Sequence, residues 1–123
     1  MRLWHQDLIN KLPSQQLLGQ HREICALRGL AWNKRHRIVN YVFEHPYEYL
    51  FAFHLLVIAE MEERGYHVDE LWKDIRYRGK RVGYDESLLN KDVVVIKTPI
   101  YCEHNEDYLK ECIMNLHQKG VDI

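Results

Sequence analysis

Arg22 and Glu23 stand side by side in the segment HREICALRG and could do chemistry together. At 100° per helical residue, Glu23 lies about 160° from the centre of the predicted apolar stripe of its helix. The small residues Gly19 and Ala26 flank it on its own face. A carboxylate with a cation beside it suits proton transfer on an anionic substrate. The alternative interpretation is two solvated charges on a helix surface.

Two basic stretches, NKRHR and RYRGKR, each lie near an aromatic residue. Lys and Arg bind phosphates through charge, and an aromatic ring stacks on an unpaired base. The pattern favours contact with nucleic acid, although a solvated loop rich in Lys and Arg has the same composition. The candidate substrate-binding residues are Arg35, Arg37, Arg78 and Lys80, and the aromatic neighbours are Trp32 and Tyr77.

The sequence predicts no metal site and no cofactor. His21 and Cys25 have the i, i+4 spacing of two metal ligands, but they lie on the apolar stripe and nothing later supplies a matching pair. In the segment YCEHN, adjacent side chains diverge, so a helix entrance capped by Asn105 is the preferred interpretation. No phosphate-binding glycine motif, GxSxG or HExxH occurs.

Two strong helices position these candidates. The first covers LPSQQLLGQHREICALRG, with Ser14 as its cap and Gly29 at its end. The second covers PYEYLFAFHLLVIAEMEERG, with Pro46 as its first residue and Gly65 as its stop. It is apolar nearly all round, so we expect it to be central and mostly buried. The predicted stripe of the first helix is Leu17, Leu18, His21, Ile24 and Cys25.

The rest of the chain predicts one more main helix and several loops. NEDYLKECIMNLHQKG is a helix that begins after Asn105 and ends at Gly120. VDELWKD suits a short helix, IRYRGKRVGYDES a basic loop, and DVVVIKTP an extended segment against the core. We therefore expect an all-α, mainly α fold. It is a compact bundle of three main helices with long ordered loops, in a single domain over residues 1–123.

Composition narrows the class of protein. The chain has 123 residues, of which 46% are hydrophobic and 28% are charged, and its formal net charge is -1. This is ordinary globular composition, and total charge does not indicate a nucleic-acid binder. The near-neutral total hides local patches, because residues 73–81 carry five basic residues and one acid. An odd cysteine count and no apolar leader in the first residues predict a cytoplasmic protein.

An amino terminus that leads within a short segment to a helix carrying Arg22 and Glu23 resembles the pyrimidine-dimer DNA glycosylases of the phage endonuclease V type. The likeness continues into HLLVIAEMEERGYHV, which is similar to that family's long helix with its Arg-Gly-aromatic ending. It covers roughly the first 70 residues. The opening MRLWHQDL with LPSQQLLGQHRE is also similar to a small bacterial branch of the family.

The resemblance implies a compact helical enzyme that attacks damaged double-stranded DNA with its N-terminal α-amine. The amine forms a Schiff base at sugar C1′, the base is released, and β-elimination then breaks the strand. Met1 would supply the amine and Glu23 would act as the helix glutamate, while Arg2 and Arg22 would hold phosphates. An α-amine has a lower reference pKa than a lysine side chain, so more of it is the neutral nucleophile.

The chain departs from the family's pattern in four ways. A bulky Met1 stands where the phage enzyme exposes a small threonine, and the spacing to Glu23 is one residue longer. The ending is acidic to neutral, where the family has a basic, aromatic-rich tail. The family's strong net positive charge is missing too. The last two departures bear on the specificity for dimers more than on the fold.

The preferred hypothesis is a DNA-repair glycosylase/AP lyase that acts on pyrimidine dimers or abasic sites. A second hypothesis is a non-catalytic nucleic-acid-binding domain on the same scaffold, which would grip its ligand through the basic stretches. A third is a protein-interaction domain that uses the acidic helix ends. The distance between the amino terminus and Glu23 discriminates best among them.

Overall fold

The computed structural model describes residues 2–29, 40–88 and 98–123. The α-helices are α1 (Ser14–Arg28), α2 (Tyr47–Glu63) and α3 (Glu106–Gln118). Short 3-10 helices lie at Gln6–Leu8, Asn40–Glu44, Glu70–Lys73 and Glu86–Leu88. Within these described ranges no β-strand forms, and an isolated bridge joins Tyr77 to Tyr84. The prediction of a mainly α fold with three main helices is confirmed.

Prolines occupy the N-terminal caps of the first two helices. Pro13, with φ -56° and ψ 152°, directly precedes α1, so the prediction that Ser14 caps this helix is wrong and Ser14 is its first residue. Pro46 likewise precedes α2 and is not its first helical residue. Both corrections are shifts of one position, but in opposite directions: α1 begins one residue earlier than predicted and α2 one residue later, because each proline has the extended ψ of a cap residue.

Glycine follows each of the three helices, as the sequence predicts. Gly29 caps α1. Gly65 and Gly120 have φ values of 91° and 81°, in the left-handed region that glycine enters without a Cβ clash. At the other end of α3, the Asn105 side chain accepts a hydrogen bond from the Tyr108 amide at 2.9 Å, which confirms its predicted cap.

Helix α2 lies at the centre of the core. Its residues Leu50, Phe53 and Val57 have no exposed surface, and it packs directly against α1. Buried apolar side chains from the N-terminal segment, from all three helices and from the turn before α3 form one cluster. The prediction of a buried central helix is therefore confirmed.

The buried stripe of α1 is rotated from the predicted one. Leu17 and Ile24 are buried as predicted, but His21 and Cys25 are only half-buried. The additional buried positions are Gln20, Leu27 and Arg28. Two polar side chains enter the core because hydrogen bonds inside the protein replace those they would make to water.

Some predictions fall outside the described residues. The basic stretch NKRHR and Trp32 lie within residues 30–39, and most of the segment DVVVIKTP lies within residues 89–97. The predicted short helix in VDELWKD is present as the 3-10 helix Glu70–Lys73. Of the helices described, none combines the length and the apolar character needed to cross a membrane.

Candidate active site beside the amino-terminal segment

Hydrogen bonds hold the segment before the first 3-10 helix from two sides. On the α1 side, Gln20 Nε2 donates to the Arg2 carbonyl at 2.8 Å and Gln20 Oε1 accepts from the Trp4 amide at 2.6 Å. On the α3 side, the Tyr108 hydroxyl donates to the Leu3 carbonyl. The alternation of sides is that of an extended chain, whose successive carbonyls point in opposite directions. The backbone of residues 2–4 is thus fixed at both edges.

The turn before α3 holds Gln6, the first residue of the 3-10 helix that follows this segment. The Gln6 amide donates to Nδ1 of His104 at 3.0 Å, and Gln6 Oε1 accepts from the Ile100 amide at 2.9 Å. Since His104 Nδ1 accepts, its Nε2 carries the proton and donates to the Tyr41 hydroxyl at 2.8 Å. Burial lowers the pKa of His104 to about 3, so the ring stays neutral and keeps this arrangement.

Glu23 lies directly against the start of the chain. Its Oε2 atom accepts from the Arg2 amide nitrogen and from Gln20 Nε2, each at 3.4 Å, and its side chain is half-buried. Among the described residues, Oε2 takes all the hydrogen bonds of this carboxylate. Met1, the predicted source of the amine, lies outside the described residues. The Arg2 nitrogen nevertheless belongs to the peptide bond that joins residue 2 to residue 1.

Arg22 and the small residues form the exposed side of α1 next to Glu23. Arg22 and Ala26 are exposed, and Gly19 is half-buried. A Cβ added at Gly19 would lie 3.8 Å from Arg22 Nη2, an ordinary contact distance. On this face the residues one turn before and after Glu23, Gly19 and Ala26, are both small, while Arg22 lies beside the carboxylate.

Arg2 does not join Arg22 on that face. Its guanidinium turns toward α3, where Nη1 lies 3.7 Å from Glu111 Oε2, and its side chain is only 14% exposed. The guanidinium also lies 5.7 Å from the ring centre of Trp4 and 5.8 Å from that of Tyr108. This contact set anchors the N-terminal segment to α3. The phosphate-binding role of Arg2 stays a prediction.

The second basic stretch divides into a packed and an exposed part. Arg78 Nε donates to the carbonyl of Arg28 at 2.6 Å, at the end of α1, and its guanidinium lies 4.4 Å from the ring centre of Tyr47. Its side chain is 12% exposed. Lys80 is exposed in the turn from Gly79 to Gly83. The other two predicted phosphate ligands are Arg35 and Arg37, and both lie outside the described residues.

A buried cluster that the sequence did not reveal lies on the α1–α2 contact. Arg28 Nη1 donates to His54 Nδ1 at 2.8 Å. A guanidinium has no acceptor, so His54 carries its proton on Nε2 and donates it to His21 Nδ1 at 2.9 Å. Burial and the charge of Arg28 hold the pKa of His54 well below its usual value. Burial raises the pKa of Cys25 to about 12, so its thiol stays protonated and unreactive.

Two groups in the described part of the chain bring three potential metal-ligating atoms within 4.8 Å. They are His21 with Cys25 and His54, and His45 with Cys102 and Glu103. One later residue, His54, joins His21 and Cys25, where the sequence predicts no matching pair. However, a metal-bound histidine donates from its other ring nitrogen to an acceptor, whereas His54 accepts there from Arg28. We therefore describe the first group as a hydrogen-bond relay.

The second of these groups is already paired. His45 Nε2 lies 2.9 Å and 3.0 Å from the two carboxylate oxygens of Glu103, and its ring stacks on Tyr49. Cys102 is exposed, and its Sγ donates to Glu103 Oε1 at 3.5 Å. A hydrogen-bonded pair of His45 and Glu103 on a partly exposed surface accounts for this arrangement.

Sequence reasoning missed Gln20, Arg28, His54 and His104. A signal existed for two of them, because Gln20 lies between Leu17 and Ile24 and His54 interrupts an apolar run. A polar residue on a buried face needs a hydrogen-bonding partner. The sequence does not say which partner, because the partners lie far along the chain.

A family model described as pyrimidine dimer DNA glycosylase matches residues 1–74. The match covers more than half of the chain. The chain belongs to this family. Nothing among curated proteins or solved structures matches it. The predicted family resemblance is confirmed.

The matched region contains the parts that meet at the candidate site. It includes the N-terminal segment, α1 with Gln20, Arg22 and Glu23, and α2. The loop around Lys80 and all of α3 follow it. The family's description names DNA as the substrate and pyrimidine dimers as the lesion. It supports the expected class, a DNA-repair glycosylase, at the level of the family.

Proposed function

We propose that the chain is a DNA glycosylase/AP lyase that acts through a Schiff base of the Met1 α-amine. The neutral amine attacks C1′ of the damaged nucleotide, and the bond from C1′ to the base breaks. Loss of a proton from nitrogen and opening of the sugar give the imine. Removal of a C2′ proton then expels the 3′ phosphate by β-elimination. Glu23 moves protons in these steps.

The observation that supports this mechanism is the contact between Glu23 Oε2 and the Arg2 amide at 3.4 Å. It brings the carboxylate to the peptide nitrogen next to residue 1. Consecutive Cα atoms are about 3.8 Å apart, so a nucleophile on residue 1 works within a short distance of this carboxylate. A general acid/base must act at that range.

The exposed cations suit the contacts to the DNA backbone. We assign Arg22, beside Glu23, to a phosphate next to the reacting nucleotide, and exposed Lys80 to a more distant phosphate. Arg35 and Arg37 keep their proposed role in binding phosphates. Arg2 and Arg78, with 14% and 12% exposed side chains, serve mainly to position the protein segments around them.

Borohydride trapping on an oligonucleotide with an abasic site tests the proposal. We expect a covalent adduct with the wild-type protein. Glu23→Gln keeps the size of the side chain and an acceptor for the Arg2 amide, and it should slow trapping by at least about 100-fold. Glu63→Gln, the same change at an exposed position near the end of α2, should leave the rate unchanged.

Blocking the α-amine identifies the nucleophile. Reductive methylation at a pH that favours the α-amine over lysine should abolish trapping, and mass analysis of the N-terminal peptide confirms which amine was blocked. An adduct that survives this block contradicts the role of Met1. If the wild-type protein forms no adduct but binds DNA with strong salt dependence, the non-catalytic binding domain replaces this proposal.

A further inference from the structure

One buried side chain on α1 touches both halves of the candidate site. Gln20 is 1% exposed. Its Oε1 accepts from the Trp4 amide at 2.6 Å, and its Nε2 donates to the Arg2 carbonyl at 2.8 Å. The same Nε2 lies 3.4 Å from Glu23 Oε2. A single carboxamide therefore bonds to the N-terminal backbone and to the proposed acid/base.

The geometry of these bonds is that of a strand edge. In an extended chain, the carbonyl of one residue and the amide of the second residue after it point the same way. The carboxamide of Gln20 presents a donor and an acceptor side by side, which matches the carbonyl of Arg2 and the amide of Trp4. This pairing fixes the position of the backbone along α1 as well as its distance from the helix.

The spacing along α1 connects this pairing to the carboxylate. Residues three apart on a helix are neighbours on its surface, so Gln20 and Glu23 lie side by side. Because both of the Gln20 bonds to acceptors come from Nε2, a shift of the N-terminal backbone changes the position of the group that also holds Glu23. The Glu23 carboxylate and the backbone of residues 2–4 are therefore held by the same side chain.

We propose that Gln20 is a positioning residue for the reaction, which sets the distance between the residue 1 amine and the Glu23 carboxylate. This inference rests on the proposed function. Gln20 is buried and does not touch DNA; it acts through the backbone of residues 2–4 and through Glu23. A misplacement of about 1 Å at a reacting centre costs on the order of 100-fold in rate.

Two variants of Gln20 separate its hydrogen bonds from its volume. Gln20→Met keeps the length of the side chain and removes every hydrogen bond. Gln20→Glu keeps the acceptor for the Trp4 amide and removes the donor to Arg2 and Glu23, so it serves if the methionine variant does not fold. Gln118→Met makes the same change at an exposed position near the end of α3 and is the matched control.

The measurement is single-turnover borohydride trapping at saturating abasic DNA, with the Kd measured on an uncleavable tetrahydrofuran analogue. We expect Gln20→Met to trap about 100-fold more slowly than wild type while its Kd changes by less than about twofold. A purely structural defect lowers the fraction of active protein and changes the amplitude of trapping instead of its rate. Gln118→Met should keep the wild-type rate.

A double-mutant cycle and amide exchange test the cause. If Gln20 acts through Glu23 and residue 1, the Gln20→Met/Glu23→Gln variant should be no more than about threefold slower than Glu23→Gln alone. The Trp4 amide should exchange at least about tenfold faster in Gln20→Met, while the Ile24 amide within α1 stays protected.

Two results overturn the inference, and they are distinguishable from failure of the proposed function. Wild-type rates in both Gln20 variants, or rate losses that multiply in the double variant, show that Gln20 does not position the reacting groups. If the wild-type protein itself forms no adduct, the proposed function fails and this role of Gln20 fails with it.

Discussion

Buried histidines in this protein act as neutral hydrogen-bonding groups. His104 accepts from the Gln6 amide and donates to Tyr41, and His54 accepts from Arg28 and donates to His21. In each ring one partner can only donate, which fixes the tautomer. Both rings have a lowered pKa because burial disfavours the charged form. Their hydrogen bonds depend on the neutral ring.

Acid should therefore destabilise the fold through His104. Its pKa falls from the ordinary 6.5 to about 3, so between these values the unfolded chain binds more protons than the folded one. The contribution of His104 to the free energy of unfolding is fully present above its pKa in the unfolded chain. It decreases as the pH falls toward the pKa in the folded protein, by up to about 1.4 kcal/mol per pH unit. Urea denaturation between about pH 7 and pH 4 measures this slope.

Variants at two histidines isolate the contribution of His104. His104→Asn lacks a titrating group and should lose less stability than wild type over that pH range. His67→Asn, at an exposed histidine, should keep the wild-type slope. Equal slopes for His104→Asn and wild type would show that His104 is not responsible.

At the scale of elements, helix ends determine where the site residues lie. Gly29 ends α1 where the Arg78 backbone crosses it, and a Cβ added there would lie 3.0 Å from the Arg78 carbonyl oxygen. The second basic stretch, RYRGKR, thus packs against the C-terminal end of α1. The start of α3 is set by Asn105, which places Tyr108 one turn into the helix, where it reaches the Leu3 carbonyl.

Removing the cap of α3 should weaken the fold. Asn105→Ala loses the acceptor for the Tyr108 amide, which lies 2.9 Å from Asn105 Oδ1. We expect the free energy of unfolding to fall by about 1 kcal/mol. Asn115→Ala, inside the same helix, should be neutral or slightly stabilising because alanine has the higher helix propensity. Chemical denaturation measures both, and equal effects would contradict the cap.

At the scale of the whole molecule, Arg28 connects α1 to α2 and to the segment after it. It has no exposed surface. Its five N–H groups donate to Tyr47 Oη, His54 Nδ1 and the carbonyls of Trp72, Asp74 and Tyr77, at 2.8–2.9 Å. A fully hydrogen-bonded guanidinium can stay charged in the core, whereas an unpaired one is strongly destabilising.

Replacing this group should be among the most damaging changes to stability. Arg28→Lys keeps the charge but has three donors and no planar fork, so several carbonyls lose their partner. We expect a loss of more than about 3 kcal/mol in the free energy of unfolding, measured with urea. Arg81→Lys, at an exposed position, should change it by less than about 0.5 kcal/mol. A loss below about 1 kcal/mol for Arg28→Lys would refute this role.

The three helices, most of their ends and the family can be recognised from the amino-acid sequence. Helical periodicity, Gly65, Gly120 and the Asn105 cap act over a few residues, so they can be recognised without knowing the fold. The neighbouring positions of Arg22 and Glu23 on one helix, next to small residues, can be recognised for the same reason.

Which polar groups contact each other depends on how the helices pack. Arg28 donates to carbonyls 44 to 49 residues further along the chain. The guanidinium of Arg2 lies against α3 and not beside Arg22. Gln20 and His104 found partners in the N-terminal segment, 16 and 98 residues away. A buried polar group requires a partner, but the partner is chosen by how the helices pack, and that packing depends on the whole chain.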